Sequence, residues 1–117
     1  MIAKGRLAAA EYVQVITTVD SQETAASIAE TVVSARLAAC AQVAGPITSA
    51  YWWEGEVATA TEWLVIMKTR QIRYDALAEL LQQIHPYDVP EILAVPVVAG
   101  NSAYLAWIDR ETASGSA

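Results

Sequence analysis

The alternation and periodicity of apolar positions divide the chain into elements. Tyr12 to Thr18 is rich in β-branched residues and reads as a first strand. Asp20, with Glu23 three residues on, has capping-box spacing and opens a helix. Ala25, Ile28, Ala29, Val32 and Val33 recur at i, i+3, i+4, i+7 and i+8, which gives that helix one apolar stripe. Leu37 to Ala44 resumes as a strand, Gly45-Pro46 interrupts it as a bulge or bend, and Ile47 to Trp53 continues it. Glu54-Gly55 is a tight-turn signal, with glycine supplying the positive φ. Glu56 to Ala60 leads into Glu62 to Thr69, a return strand with Trp63, Val65 and Met67 on one face. The hairpin is longer than one compact subunit needs.

A second helix follows, with Leu77, Leu80, Leu81 and Ile84 on one side and Asp75, Glu79, Gln82 and Gln83 largely on the other. Pro86 stops it. Ile92 to Val98 is a continuous apolar run, the pattern of a strand covered on both faces. Gly100-Asn101-Ser102 opens a last helix, with Ser102 as its cap and Tyr104, Leu105, Trp107 and Ile108 as its apolar contacts. The order βαββαβ plus a terminal helix predicts an α+β, ferredoxin-like sandwich with helices on one face of an antiparallel sheet. Its span is residues 11–112, flanked by a mobile arm at 1–10 and a frayed tail at 113–117.

The other sheet face would be bare in a monomer, and composition makes that matter. In 117 residues, 55% are hydrophobic and only 17% charged, against roughly 25% charged in an average domain. A small domain cannot hide so much apolar surface alone, so the excess reads as an oligomer interface. A net charge of −6 without Lys or Arg clusters argues against nucleic acid. The single Cys40 excludes an intrachain disulfide and fits a reducing compartment. The first ten residues lack the apolar core of a secretion signal, and no run approaches the roughly 18 residues of a membrane span. A soluble, cytoplasmic protein is expected, with neither nucleic acid nor membrane as a partner.

Several strings now agree in order and spacing: Leu37-Ala38-Ala39-Cys40, Ile47-Thr48-Ser49, Tyr51-Trp52-Trp53-Glu54-Gly55, Lys68-Thr69, His85-Pro86-Tyr87, Pro90-Glu91-Ile92 and Tyr104-Leu105-Ala106-Trp107. Over about residues 11 to 110 the chain resembles the CutA divalent-cation tolerance proteins. The resemblance implies a tight homotrimer like that of the PII signalling proteins, a role in the response to metal ions, and binding of copper or another divalent cation. Gln42 stands where many members have Asn. Some bacterial members carry Cys where Thr17 stands and a second His where Ile84 stands, both linked with copper there. Only His85 of that set is present.

His85, the only histidine, lies in the stiff connector His85-Pro86-Tyr87-Asp88-Val89-Pro90-Glu91. Neutral imidazole suits Cu²⁺ or Zn²⁺, and Glu91 or Asp88 could complete a shell or orient the ring. The competing reading is a helix-end histidine that satisfies the last carbonyls. One His per chain does not make a zinc site, so a metal needs donors shared across subunits. Cys40 is either a small packed hydrophobe or a soft copper donor with Met67 as a weak partner.

Tyr51 and Trp53 share a strand face and Trp52 takes the other, with interface packing favoured over ligand stacking. Lys68 is expected to pair with Glu91 or to meet an anion. Together with Tyr87 and Trp107, these residues are expected at inter-subunit clefts or interfaces. No catalytic motif is visible, so no enzyme is expected; the alternative function is a PII-like regulator that binds a small ligand or a protein in those clefts. No cofactor is needed for folding.

Overall fold

The computed structural model describes residues 10–113. Apart from Ala10 and Ala113, the expected N-terminal arm and C-terminal tail lie outside the described residues. Strand β1 (Tyr12–Val19), helix α1 (Gln22–Ser34), strands β2 (Cys40–Trp53) and β3 (Glu56–Arg70), helix α2 (Tyr74–Ile84), strand β4 (Leu93–Pro96) and helix α3 (Ser102–Glu111) follow in order. The strands form one antiparallel sheet in the order β2-β3-β1-β4. This mixed α+β arrangement is that of two interleaved βαβ units, as the element order predicts.

The core lies between the sheet and the first two helices. Val13, Val15, Val19, Val65 and Met67 alternate on one sheet face, and Ala25, Ile28, Val32, Leu77 and Leu81 meet them from α1 and α2. The apolar stripes therefore do what their spacing requires. Val33, at the edge of the α1 stripe, remains 37% exposed.

Both helix starts differ from expectation by one residue. Ser21, not Asp20, caps α1, its Oγ accepting the Thr24 N–H at 3.0 Å. Asn101, not Ser102, caps α3, its Oδ1 accepting the Ala103 and Tyr104 N–H groups at 2.9 and 3.1 Å. In each case a neighbouring residue that is also a strong cap stands two or three positions before the amides that need an acceptor.

Leu37 to Ala39 is not strand. Arg36 takes φ 63, and the Arg36 and Leu37 amides donate back to the Val33 and Val32 carbonyls at 3.0 and 3.1 Å. That paired closure of the helix end delays β2 until Cys40. The apolar run Ile92 to Val98 supplies only the four residues of β4, all exposed, as an edge strand beside β1. The expected cover on both faces is absent within one subunit.

The long hairpin is as predicted, turning at Glu54 and Gly55 with φ 50 and 83. Both positive angles match the right-handed twist of the flanking strands. The radius of gyration is 15.1 Å, against roughly 13 Å for a compact chain of this length. Where β2 meets β3 the register slips between Ala44 and Ile47, because three steps on β2 span two on β3 from Leu64 to Glu62. One extra residue exchanges the two faces of a strand. Before the slip, Ala41 and Val43 lie opposite the core residues Met67 and Val65; after it, Ile47, Ser49, Tyr51 and Trp53 lie on the face of Glu62, away from α1 and α2.

Candidate functional site

His85 follows α2 and turns inward. The residue is 8% exposed. Nδ1 accepts the Tyr87 N–H at 3.1 Å, which requires an unprotonated Nδ1 and leaves the proton on Nε2. Nε2 then donates between the Thr18 carbonyl at 3.0 Å and Thr17 Oγ1 at 2.9 Å. Both nitrogens are thus engaged inside the subunit. Burial lowers the imidazole pKa below its usual value, outweighing the opposing pull of the Thr18 carbonyl and of the Glu62 and Asp20 charges.

The histidine thereby fixes the connector that follows. The Tyr87 ring lies 4.8 Å from the imidazole, tilted by 58°, and its hydroxyl donates to Glu62 Oε2 at 2.7 Å. Burial first, and then this carboxylate contact, raises the phenol far above its ordinary pKa, so Tyr87 stays a neutral donor. Glu62 is itself only 9% exposed. A cleft of about 760 Å³ opens over this pair, walled by Tyr51 and Trp53 from the hairpin and by Asp88 and Glu91 from the connector. Thr18 Oγ1 donates to Glu91 Oε1 at a long 3.5 Å.

The family model of the CutA1 divalent ion tolerance protein matches residues 13–111. The chain belongs to the CutA1 family. Among similar proteins, the divalent-cation tolerance protein CutA of Thermus thermophilus is 43% identical over 84% of this chain and 95% of its own length. The chloroplastic CutA 1 of Oryza sativa is 44% identical over 84% of the chain, but the match spans only 55% of that longer protein. Solved CutA1 structures agree in fold: that of the Thermus protein superposes with a TM-score of 0.84 at 42% identity over 86% of this chain and 98% of its own. The Archaeoglobus fulgidus structure, described as a periplasmic divalent cation tolerance protein, has a TM-score of 0.83 at 35% identity, covering 86% and 98%. Among the described residues, no helix is long and apolar enough to cross a membrane.

Measured against the metal association of CutA1 proteins, the donor set of one subunit does not fit. Among the described residues, no three His, Cys, Asp or Glu side chains stand where they could hold one metal ion. Asp88 and Glu91 share the cleft, but His85 lies behind it with its lone pair committed. Cys40 is elsewhere, opposite Lys68 at the start of β2, its sulfur 3.8 Å from the Tyr104 hydroxyl. Met67 is fully buried on the core face, so it is not the copper partner that Cys40 would need. Lys68 does not pair with Glu91; its Nζ donates to Gln42 Oε1 at 2.8 Å on the neighbouring strand.

Trp52 faces away from the cleft, whereas Tyr51 and Trp53 line it. Trp107 lies in α3 against Tyr104, with ring centres 5.3 Å apart, outside the cleft. Sequence reasoning overlooked Glu62 and Thr18. The signal for Glu62 was a carboxylate set inside an otherwise apolar strand. Thr18 had no such mark, because its contribution to His85 is a backbone carbonyl.

Proposed function

We propose that three copies of this chain associate as a homotrimer that serves in divalent-cation tolerance, with copper or another divalent ion bound weakly where subunits meet. One observation carries the assembly: a single subunit leaves Trp52 75%, Trp53 62% and Val57 62% exposed on the hairpin, and Leu93 56% exposed on β4. Large apolar side chains left exposed at the hairpin end and on the opposite sheet edge favour burial against further copies. Sedimentation equilibrium at micromolar concentration should give three times the chain mass, and a folded single subunit would end this reading.

Metal contact in this reading falls to Asp88 and Glu91 of adjoining subunits, while His85 holds the connector that presents them. The family name of the relatives and the exposure of both carboxylates support it. Calorimetric titration of Cu²⁺ and Zn²⁺ tests the assignment, with an expected loss of affinity of about tenfold in Glu91→Gln or Asp88→Asn. Unaltered affinity in both variants removes these residues from the site. The role proposed is binding rather than catalysis, in the cytoplasm, where the single thiol of Cys40 would remain reduced. The volume of the cleft favours a second reading, a PII-like regulator that takes a small ligand there.

A further inference from the structure

Helix α3 lies on the sheet face turned away from α1 and α2. Tyr12 and Cys40 alternate with the core-facing Val13 and Ala41, and they meet Asp109 and Tyr104 of this helix. Ile108 is the one fully buried hydrophobic residue of α3, with Leu105 and Trp107 half-buried. So small an apolar contact leaves ten ordered residues dependent on polar contacts at the last turn.

Those contacts converge from three elements. Arg70, at the end of β3, donates to Thr112 Oγ1 at 2.8 Å and to the Thr112 carbonyl at 2.7 Å. Arg73, just before α2, donates to the same carbonyl at 2.8 Å. Arg36, just after α1, pairs with Glu111 Oε1 at 2.6 Å and reaches the Glu111 carbonyl at 3.4 Å. Thr112 is fully buried, and its hydroxyl donates onward to the Ile108 carbonyl at 2.7 Å. Three guanidinium groups thus close the carbonyl end of one helix, where cations are favoured. Arg36 carries a further sign, because its φ of 63 suits glycine better than any branched residue. The use of an arginine at that position lies in its side chain. At the other end of α3 the Val97 N–H donates to the Tyr12 carbonyl at 2.9 Å, and Val98, Ala99 and Gly100 beyond it are exposed.

We infer that α3 is a strap, hinged at residues 98–100 and latched by Arg36, Arg70 and Arg73, that opens as a unit while the sheet and the other two helices stay folded. Opening lifts Tyr104 from the Cys40 thiol and bares the sheet beneath.

Native-state hydrogen exchange of the full chain in rising urea tests this at single amides. The amides of residues 105–112 should share one opening, at least about tenfold more populated than the one that exposes Val15 and Met67 and far less dependent on urea. Thr112→Val removes the hydroxyl between Arg70 and Ile108 while keeping the side-chain volume, and should speed exchange of residues 105–112 about tenfold. Ile28→Val, in the core, should speed Val15 and Met67 and leave residues 105–112 unchanged. Arg36→Gly should speed residues 105–112 about threefold. It should affect Val15 and Met67 less, because relief of the left-handed backbone offsets the lost contact only when α1 itself unfolds. Exchange of residues 105–112 in step with Val15 and Met67, or their acceleration by Ile28→Val, overturns the strap, since α3 then unfolds only with the whole domain. A gradient of rates along the helix overturns it too, because that is fraying from one end. Indifference of these amides to both Thr112→Val and Arg36→Gly overturns the latch.

Discussion

Replacing His85 with alanine is expected to lower the unfolding free energy by roughly 3–5 kcal/mol, because it strips partners from several groups at once. Thr17 Oγ1, the Thr18 carbonyl and the Tyr87 N–H all lose a hydrogen bond to the ring. Thr17 has no exposure to recover a water partner. Chemical denaturation of the two proteins measures the loss, and a difference within experimental scatter would mean that the imidazole holds nothing together. The pH profile gives the effect a signature. In the folded chain the imidazole pKa lies below the unfolded value of 6.5, so near and below that pH the unfolded state binds more protons. The contribution of His85 is therefore complete above about pH 6.5 and declines as pH falls through that value towards the folded pKa. The deficit of His85→Ala should shrink on acidification. A deficit that grows instead would mean that the ring is protonated in the native state.

Gly45→Ala is expected to cost about 1–3 kcal/mol, the range for overpacking a site that cannot relax. A Cβ there would stand 2.5 Å from Trp63 Cδ1, 2.8 Å from Cγ and 3.1 Å from the Glu62 carbonyl oxygen. The ring is half-buried and packed against the core, and the carbonyl belongs to the backbone of β3, so neither yields cheaply. Thermal unfolding reports the cost, and an unchanged midpoint would show that the slip tolerates a side chain. Gly55→Ala is a useful comparison, since a Cβ there meets nothing within 4 Å and the strain comes only from its φ of +83. About 1 kcal/mol is expected for that backbone term alone. Gly45 also lies at the slip that exchanges the faces of β2, so distortion there should disturb the placement of Tyr51 and Trp53.

Those two residues show why the site was only partly legible in advance. Strand alternation placed Tyr51 with Trp53 and apart from Trp52, and the structure keeps that pairing. Which face each set would occupy depended on the residues inserted at Gly45-Pro46. Alternation cannot count a bulge before the partner strand is known. The connector around His85 was likewise singled out by its prolines and its unique imidazole. Its role was not, since hydrogen bonds to Thr17 and Thr18 cross 68 and 67 residues of sequence.

The succession of strands and helices, the stripes of α1 and α2, the Glu54-Gly55 turn and the family could be read along the chain, because local periodicity and short strings are properties of neighbours in sequence. Folding in three dimensions was needed to make β4 an exposed edge, to turn Lys68 to Gln42 rather than Glu91, and to join Glu62 to Tyr87 beneath a cleft. Strand order and register bring such groups together, and hydrogen-bond partners are chosen by distance in space.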